Sequence, residues 1–308
     1  MARYDLVIIG MGSGGMIGAE FAATIGLRVA VVERARVGGD CLWTGCVPSK
    51  ALLASAKAAH TMRVADTYGL PSVVPEIDTS LVWKRIRTIQ QEIGSTDDDP
   101  ARFEAEGVEI IRGSARIAGP NLVRVLGEGS TGEDRDLETR FILVCTGSRP
   151  VVPPIEGLTE AGFLTSETLW DLERAPASMV MIGAGPIATE MSQAFTRLGI
   201  ATTVLQKGPR ILPRDEPDLV DLLVAKLRSE GVDLHFNVEI ERVAVSGSRK
   251  IVFGSENGEP SRWDGEELLV ATGRRPNVEG LGLDEVGVNV TRTGIEVDER
   301  RRTAVPSI

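Results

Sequence analysis

The sequence predicts an α/β protein made of two dinucleotide-binding domains, and three observations predict it. The order strand, glycine-rich loop, helix, strand occurs once from Tyr4 and again from Ser178. In each copy a later apolar strand ends in Thr-Gly, at Thr146-Gly147 and at Thr272-Gly273. Between the copies stand Pro150, Pro153 and Pro154, which read as a linker because proline disfavours continued helix or central strand. One large α/β domain with chance glycines is the competing reading.

Taken in order, Tyr4 to Ile9 is a short apolar run ending at Gly10, residues 16–26 read as a helix of small side chains, and Arg28 to Glu33 is a second apolar run. Such a βαβ unit implies a parallel sheet. Residues 46–63, rich in Ala, Leu and Lys, read as a longer helix, and 79–93 as another. Asp97, Asp98, Asp99 and Pro100 break the latter, with a helical turn at Ala101 to Glu106. Val108–Arg112 and Leu122–Leu126 read as strands, 127–136 as a hairpin turn, and Phe141 to Cys145 as a fully apolar strand. The second copy places strands at Met179–Ile182 and Thr202–Leu205 around a helix at 186–198. A helix at 217–230 follows, then strands at Val232–Phe236, 240–245, 249–253 and Leu268–Ala271.

Composition narrows the function classes. With 308 residues the chain can hold more than one core, and at 4% aromatics that core relies on Val, Leu, Ile and Ala. A net charge of -10 argues against a duplex nucleic-acid partner. No apolar run reaches the length of a membrane-spanning helix, and the start, MARYDLVIIG, runs into a strand without a signal-peptide layout, so a cytoplasmic protein is expected.

The first loop, Gly10-Met11-Gly12-Ser13-Gly14-Gly15, fits G-x-G-x-x-G directly after a strand. Gly10 permits the tight turn, Gly12 lets a pyrophosphate approach the backbone, and Gly15 permits close helix–strand contact. The helix N-terminus then offers unpaired N–H groups to phosphate. Glu33, ending the second strand, can accept hydrogen bonds from ribose hydroxyls. The bland alternative is a glycine-rich surface turn with a solvated Glu33. The second loop, Gly183-Ala184-Gly185-Pro186-Ile187-Ala188, carries a small residue at its last position, as the motif allows. Its following strand ends in Gln206-Lys207 rather than a carboxylate. Gln206 repels no phosphate, and Lys207 and Arg210 can pair with a 2′-phosphate, which favours NADPH over NADH; ordinary surface charge is the rival account of both.

Cys41 and Cys46 stand five apart in Gly38-Gly39-Asp40-Cys41-Leu42-Trp43-Thr44-Gly45-Cys46-Val47-Pro48-Ser49-Lys50. A bridge across that spacing needs a distorted backbone or a helix start, which Gly45 and Pro48 allow. Two such thiols can cycle between dithiol and disulfide and carry two electrons. Zinc would want about four ligands, and the chain has only His60, His235 and a strand-buried Cys145 to add; no metal site is expected. A structural cysteine pair remains open.

These segments together resemble the class I pyridine nucleotide–disulfide oxidoreductases, a family that includes glutathione reductase, dihydrolipoamide dehydrogenase and mercuric reductase. The matching stretches are GMGSGG at 10–15, GGDCLWTGCVPSK at 38–50, TGSRP at 146–150, GAGPIATE at 183–190 and ATGRRPN at 271–277, with GGDCLWTGC nearest the mercuric-reductase-like branch. The resemblance implies two Rossmann-like three-layer domains, the second inserted into the first. An FAD-binding part would span 1–149, an NAD(P)-binding domain 150–270, and a return segment 271–308. It implies FAD and NADPH or NADH as cofactors, and a small-molecule disulfide, dithiol or metal-ion substrate.

By the same resemblance Cys41 is the outer thiol that meets substrate, and Cys46 the inner thiol beside the flavin. Lys50 lies near the flavin and pairs with Glu190. FAD contacts fall to Gly10, Gly12, Ser13, Gly14, Gly15, Glu33, Arg34, Gly39, Asp40, Lys50, Thr146, Gly147 and Ser148. The nicotinamide dinucleotide falls to Gly183, Gly185, Pro186, Ile187, Gln206, Lys207, Gly273 and Arg274. Pro186 stands where relatives often carry a gating tyrosine, and His60 and His235 do not match the family's catalytic histidine. Relatives continue beyond the point matching Ile308 into an Ala-x-Gly-Asp segment and a dimerisation domain. A truncated gene product, a fragment or the ordered part of a longer protein is therefore expected, with impaired turnover and weak FAD retention, and a homodimer for the full-length family. A quinone reductase or transhydrogenase of the same fold, and a dinucleotide-binding module without turnover, are the alternative functions.

Overall fold

Apolar runs too short for buried helices become strands, and they gather into parallel sheets in the two units into which the chain divides. The structure is a computed structural model that describes residues 4–127 and 134–308. One unit comprises the chain up to Trp43, Gln90–Arg149 and Arg275–Ile308; the other comprises Thr44–Ile89 and Pro150–Arg274.

In the first unit a six-stranded sheet runs in the order Val108–Arg112, Val29–Glu33, Tyr4–Ile9, Arg135–Val144, Leu122–Leu126, Ser114–Gly119. The first four are mutually parallel and the rest join antiparallel, so the sheet is mixed. From Tyr4–Ile9 the chain moves outward on one side and returns on the other through Arg135–Val144. The strand order therefore reverses at Ile9, which is where an open α/β sheet leaves a crevice for a ligand. Both faces of the central strand are covered: Val7 belongs to one apolar cluster and Ile8 to another, each at 0% exposure. Helix Ser13–Thr24 lies close because it presents Gly15, Ala19 and Ala22 to the sheet.

The second unit repeats the plan. Its four-stranded parallel sheet runs Asp233–His235, Ala201–Leu205, Ser178–Ile182, Glu267–Val270, with the reversal at Ile182. A three-stranded antiparallel sheet, Val238–Ser246, Arg249–Glu256 and Glu259–Gly265, accompanies it. Helix Cys46–Arg63 packs on helix Pro186–Arg197. The core there centres on Trp83, fully buried and stacked on Phe195 with ring centroids 6.0 Å apart. Among the described residues no helix is long and apolar enough to cross a membrane.

Several elements differ from the sequence expectation, each for a physical reason. The helix expected at 16–26 starts at Ser13, because the glycine loop is itself the first helical turn. The strand expected at Phe141–Cys145 runs from Arg135 to Val144. Its polar first half, buried at alternate residues, pairs antiparallel with Leu122–Leu126, and only its apolar second half joins the parallel sheet. Strands Ser114–Gly119 and Glu259–Gly265 were not expected; both lie at sheet edges, where polar residues and Pro260 are tolerated. The turn expected at 127–136 lies largely outside the described residues.

Candidate functional site

The first glycine turn is built by backbone. Gly10 has φ of +97° and a Cβ there would collide with the carbonyl oxygen of Cys145, so only glycine fits. A Cβ on Gly15 would collide with the Gly10 carbonyl oxygen, which sets how closely the helix approaches the strand. Gly12 is different. It caps the helix with φ of -82°, and the nearest atom to a Cβ there would be 3.7 Å away, on Gly39. Space above Gly12 is therefore open, and the exposed Ser13 and Gly14 follow it with first-turn N–H groups that have no partner within the helix.

Glu33 fixes this turn. Its buried carboxylate accepts from Met11 N at 2.6 Å and Ala35 N at 2.7 Å. A carboxylate has about four acceptor positions, so about two remain for ribose hydroxyls. Gly38 N donates to Met11 O at 3.0 Å, bringing Gly39 against Gly12. Arg34 and Asp40 are exposed beside it. An open glycine cradle, first-turn N–H donors and spare acceptor capacity are what a dinucleotide such as FAD requires, and the residues present fit it. Thr146 hydroxyl donates to Asn277 O at 2.6 Å, Gly147 is exposed with φ of +67°, and Ser148 is half-buried.

The second turn has the same construction. Gly183 has φ of +101°, and its Cβ would lie 2.6 Å from Ala271 O. Gly185 caps helix Pro186–Arg197 with φ of -75° and nothing within 4 Å of a Cβ. Pro186 occupies the first turn and is exposed; Ile187 is half-buried. Each turn thus has at least one glycine required by the fold, Gly10 and Gly15 in the first and Gly183 in the second, and one that leaves room for a ligand, Gly12 or Gly185. At the end of strand Ala201–Leu205, Gln206 donates to Arg210 O at 3.1 Å and Arg210 donates to Pro213 O at 3.2 Å, so both side chains serve their own loop. Lys207 is exposed, with Gln206 before it and no carboxylate up to Arg210. Gly273 is exposed with φ of +133°, and Arg274 donates to Ser166 Oγ at 3.1 Å.

The cysteine segment enters as two helices. Cys41 lies half-buried in the one-turn helix Gly39–Trp43, and Cys46 is the exposed first residue of Cys46–Arg63, at the positive end of that helix dipole. Lys50 follows Cys46 by one turn on the same helical face. Its Nζ donates to both carboxylate oxygens of Glu190 at 3.1 Å, with side chains 63% and 41% exposed. The structure therefore joins the helix that opens at Cys46 to the helix that opens at the second glycine turn.

Spacing alone did not single out the residues that hold the backbone between the cysteines. Gln90, buried at 6% exposure, donates its amide to Leu42 O at 3.1 Å and to Trp43 O at 2.8 Å. Trp43 Nε1 donates to Val37 O at 2.7 Å, and the Arg36 guanidinium lies 4.1 Å above its ring. Trp170 Nε1 donates to Thr44 O at 2.8 Å. Nothing in the sequence pattern marks Gln90 or Trp170; Trp43 was visible only as a neighbour of the cysteines.

The remaining titratable groups serve the fold. Burial pushes the Cys145 thiol up. Burial pushes His60 down despite Glu230 at 3.7 Å. His235 sits between Glu256 and Asp233, 2.9 Å from each; burial opposes its charge, but those two carboxylates raise it overall. Among the described residues no group of three or more His, Cys, Asp or Glu is placed to hold a metal ion.

The family model for pyridine nucleotide-disulphide oxidoreductase matches residues 4–308. The chain is 34% identical to a mercuric reductase of Streptomyces lividans, over 99% of its own length and 64% of the relative's. It is 35% identical to a glutathione reductase of Burkholderia cepacia, over 99% and 65%. It is 33% identical to a dihydrolipoyl dehydrogenase of Thermus scotoductus, over 100% and 65%. These near-equal identities favour no branch, and the chain spans just under two thirds of each relative. Among solved structures it resembles the HOCl-induced flavoprotein disulfide reductase RclA of Escherichia coli, with a TM-score of 0.83 at 27% identity, over 99% of this chain and 64% of that one.

Proposed function

Because the chain belongs to the pyridine nucleotide-disulphide oxidoreductase family, we propose that it carries electrons from NADPH or NADH, by way of FAD, to a Cys41–Cys46 disulfide and on to a small-molecule disulfide, dithiol or metal ion. The observation that carries this reading is the Lys50–Glu190 contact, which ties the helix starting at Cys46 to the helix starting at Gly185. In this reading residues 1–149 with 271–308 hold FAD, and 150–270 hold the nicotinamide dinucleotide. A homodimer and a mercuric-reductase-like substrate belong to the same proposal, the latter resting on the GGDCLWTGC stretch.

Bound FAD would supply two-electron chemistry that no side chain here has. The chain's own residues do the rest. Gly12 and Gly185 leave space for the two pyrophosphates, and Glu33 takes ribose hydroxyls. Lys50 holds a positive charge one turn from Cys46, oriented by Glu190. In the reductive direction the Cys41 thiolate attacks a substrate disulfide, forming a mixed disulfide and releasing the first thiolate product. The Cys46 thiolate then attacks Cys41 sulfur, re-forming the pair and releasing the second. Lys207, exposed in a stretch without carboxylates, supports a preference for the 2′-phosphate of NADPH.

Alkylation of FAD-loaded protein before and after NADPH tests the central claim. Two thiols should become reactive on reduction, both lost in Cys41→Ser/Cys46→Ser. Flavin reduction with no gain in thiols would overturn it in favour of a quinone reductase or transhydrogenase. Dissociation constants for NADPH and NADH, in wild type and Lys207→Ala, test the coenzyme preference. Equal affinities in the wild type would remove it.

A further inference from the structure

We infer that Gln90 is a positioning residue for the thiol pair, clamping the turn that carries Cys41 through two carbonyls; this rests on the redox-pair reading above. A five-residue helix such as Gly39–Trp43 is too short to hold itself, because nucleating one turn fixes many dihedrals for very few hydrogen bonds. The backbone bond Leu42 N to Gly38 O is long, at 3.4 Å. The turn is therefore held from outside. Gly38 N donates to Met11 O, Leu42 is buried at 1% exposure, and the Trp43 indole donates to Val37 O. These ties fix the N-terminal side of the turn and its side chains, and leave the carbonyls of Leu42 and Trp43 to be satisfied.

Those carbonyls belong to the C-terminal end of the turn, where a helix has no further N–H to offer them. Gln90 supplies both donors from one amide, on a helix nearly fifty residues away in sequence, at 3.1 and 2.8 Å. Four residues further along that helix, Gly94 has no side chain, so the Trp43 ring lies against it: a Cβ there would be 3.3 Å from two ring atoms. The last turn of helix Thr79–Gly94 is thus shaped to receive the end of the Cys41 turn. Glutamine suits the task because its NH2 group is a neutral fork with two donors. It holds both carbonyls while the chain from Leu42 to Gly45 shifts between dithiol and disulfide, and it brings no charge near the thiols.

The consequence is a pre-organised disulfide. With the amide in place, the turn that carries Cys41 is restricted to few conformations in the dithiol form; without it, the turn loosens and closure of the pair is less favoured. Gln90→Met keeps the volume and removes the donors. The expected result is an equilibrium constant for disulfide formation about tenfold lower, the scale set by the backbone freedom of about one residue that the dithiol form regains without the clamp and must lose again on closure. That factor corresponds to a potential about 30 mV more oxidising.

The experiment equilibrates the 308-residue chain in glutathione buffers of graded ratio and counts reduced thiols by alkylation and mass spectrometry. Three variants accompany the wild type. Gln91→Met changes the exposed glutamine next along the helix and should leave the potential unchanged. Phe103→Leu, in the buried core of the same unit, should lower thermal stability and leave the potential unchanged. Gln90→Met should shift the potential whatever it does to stability. A Gln90→Met potential equal to wild type, or a Phe103→Leu shift as large as that of Gln90→Met, overturns the inference. A wild-type chain in which Cys41 and Cys46 show no two-electron couple overturns the redox-pair reading itself, and the positioning role with it.

Discussion

Alanine in place of the two kinds of glycine should separate folding from ligand binding. At Gly10 the backbone has φ of +97° and a Cβ would run into the Cys145 carbonyl. The left-handed conformation costs an alanine about 1–2 kcal/mol, and displacing a packed strand end adds about 1–3 kcal/mol. Gly10→Ala should therefore lose about 3 kcal/mol, and the unfolding midpoint of the apo chain should fall by about 5 °C. At Gly12 the backbone has φ of -82° and the nearest atom to a Cβ is 3.7 Å away. Gly12→Ala should stay within about 0.5 kcal/mol of wild type. Its methyl group would nevertheless occupy the space where a pyrophosphate approaches, and FAD affinity should fall at least tenfold, about 1.4 kcal/mol. Thermal melts by circular dichroism give the first quantity and quenching of FAD fluorescence the second. The same split should appear at Gly183 and Gly185 with NADPH as ligand, since Gly183 meets Ala271 O at 2.6 Å and Gly185 meets nothing. The reasoning is refuted if Gly12→Ala melts as low as Gly10→Ala, or if it binds FAD with wild-type affinity.

Lys50→Met should change stability by no more than about 1 kcal/mol, because the Glu190 pair is solvent-screened, yet slow flavin reduction by NADPH about tenfold or more; stopped-flow absorbance at the flavin band decides, and an unchanged rate removes Lys50 from the proposal. His235 has its pKa raised above 6.5, so its stabilisation is complete below that value and is lost as pH rises through the folded pKa. The stability difference between wild type and His235→Gln should therefore shrink on going alkaline, and melts showing a constant difference would contradict this. Glu230→Gln should destabilise by about 3 kcal/mol by stranding Arg197, which donates to it twice at 2.7 Å; urea unfolding measures it. Trp83→Ala should cost about 3–5 kcal/mol, since the ring is fully buried against Phe195; a loss under about 1 kcal/mol would mean that the core collapses around the gap.

The central parallel strands were legible because they are apolar runs buried on both faces, as at Val7 to Ile9 and Met179 to Ile182. The glycine turns were legible for a related reason, since Gly10 and Gly183 stand where no other residue can. Two edge strands were not, because Ser114–Gly119 and Glu259–Gly265 need satisfy only one neighbour and carry polar residues freely. In the candidate site, the residues with chemistry of their own could be named from the chain: Cys41, Cys46, Lys50. Gln90 and Trp170 could not. Each acts by donating to a backbone carbonyl distant in sequence, and carbonyls have no residue type to betray which of them needs a partner.

Cys145 lies behind the first glycine turn, its sulfur 3.4 Å from where a Gly14 side chain would begin. Burial pushes its pKa above that of an exposed thiol, so reagents that capture thiolates will find it slowly. Because the side chain is only partly buried, the delay before a third label appears reports local access to that sulfur, and a dinucleotide seated on that loop should lengthen the delay without touching it.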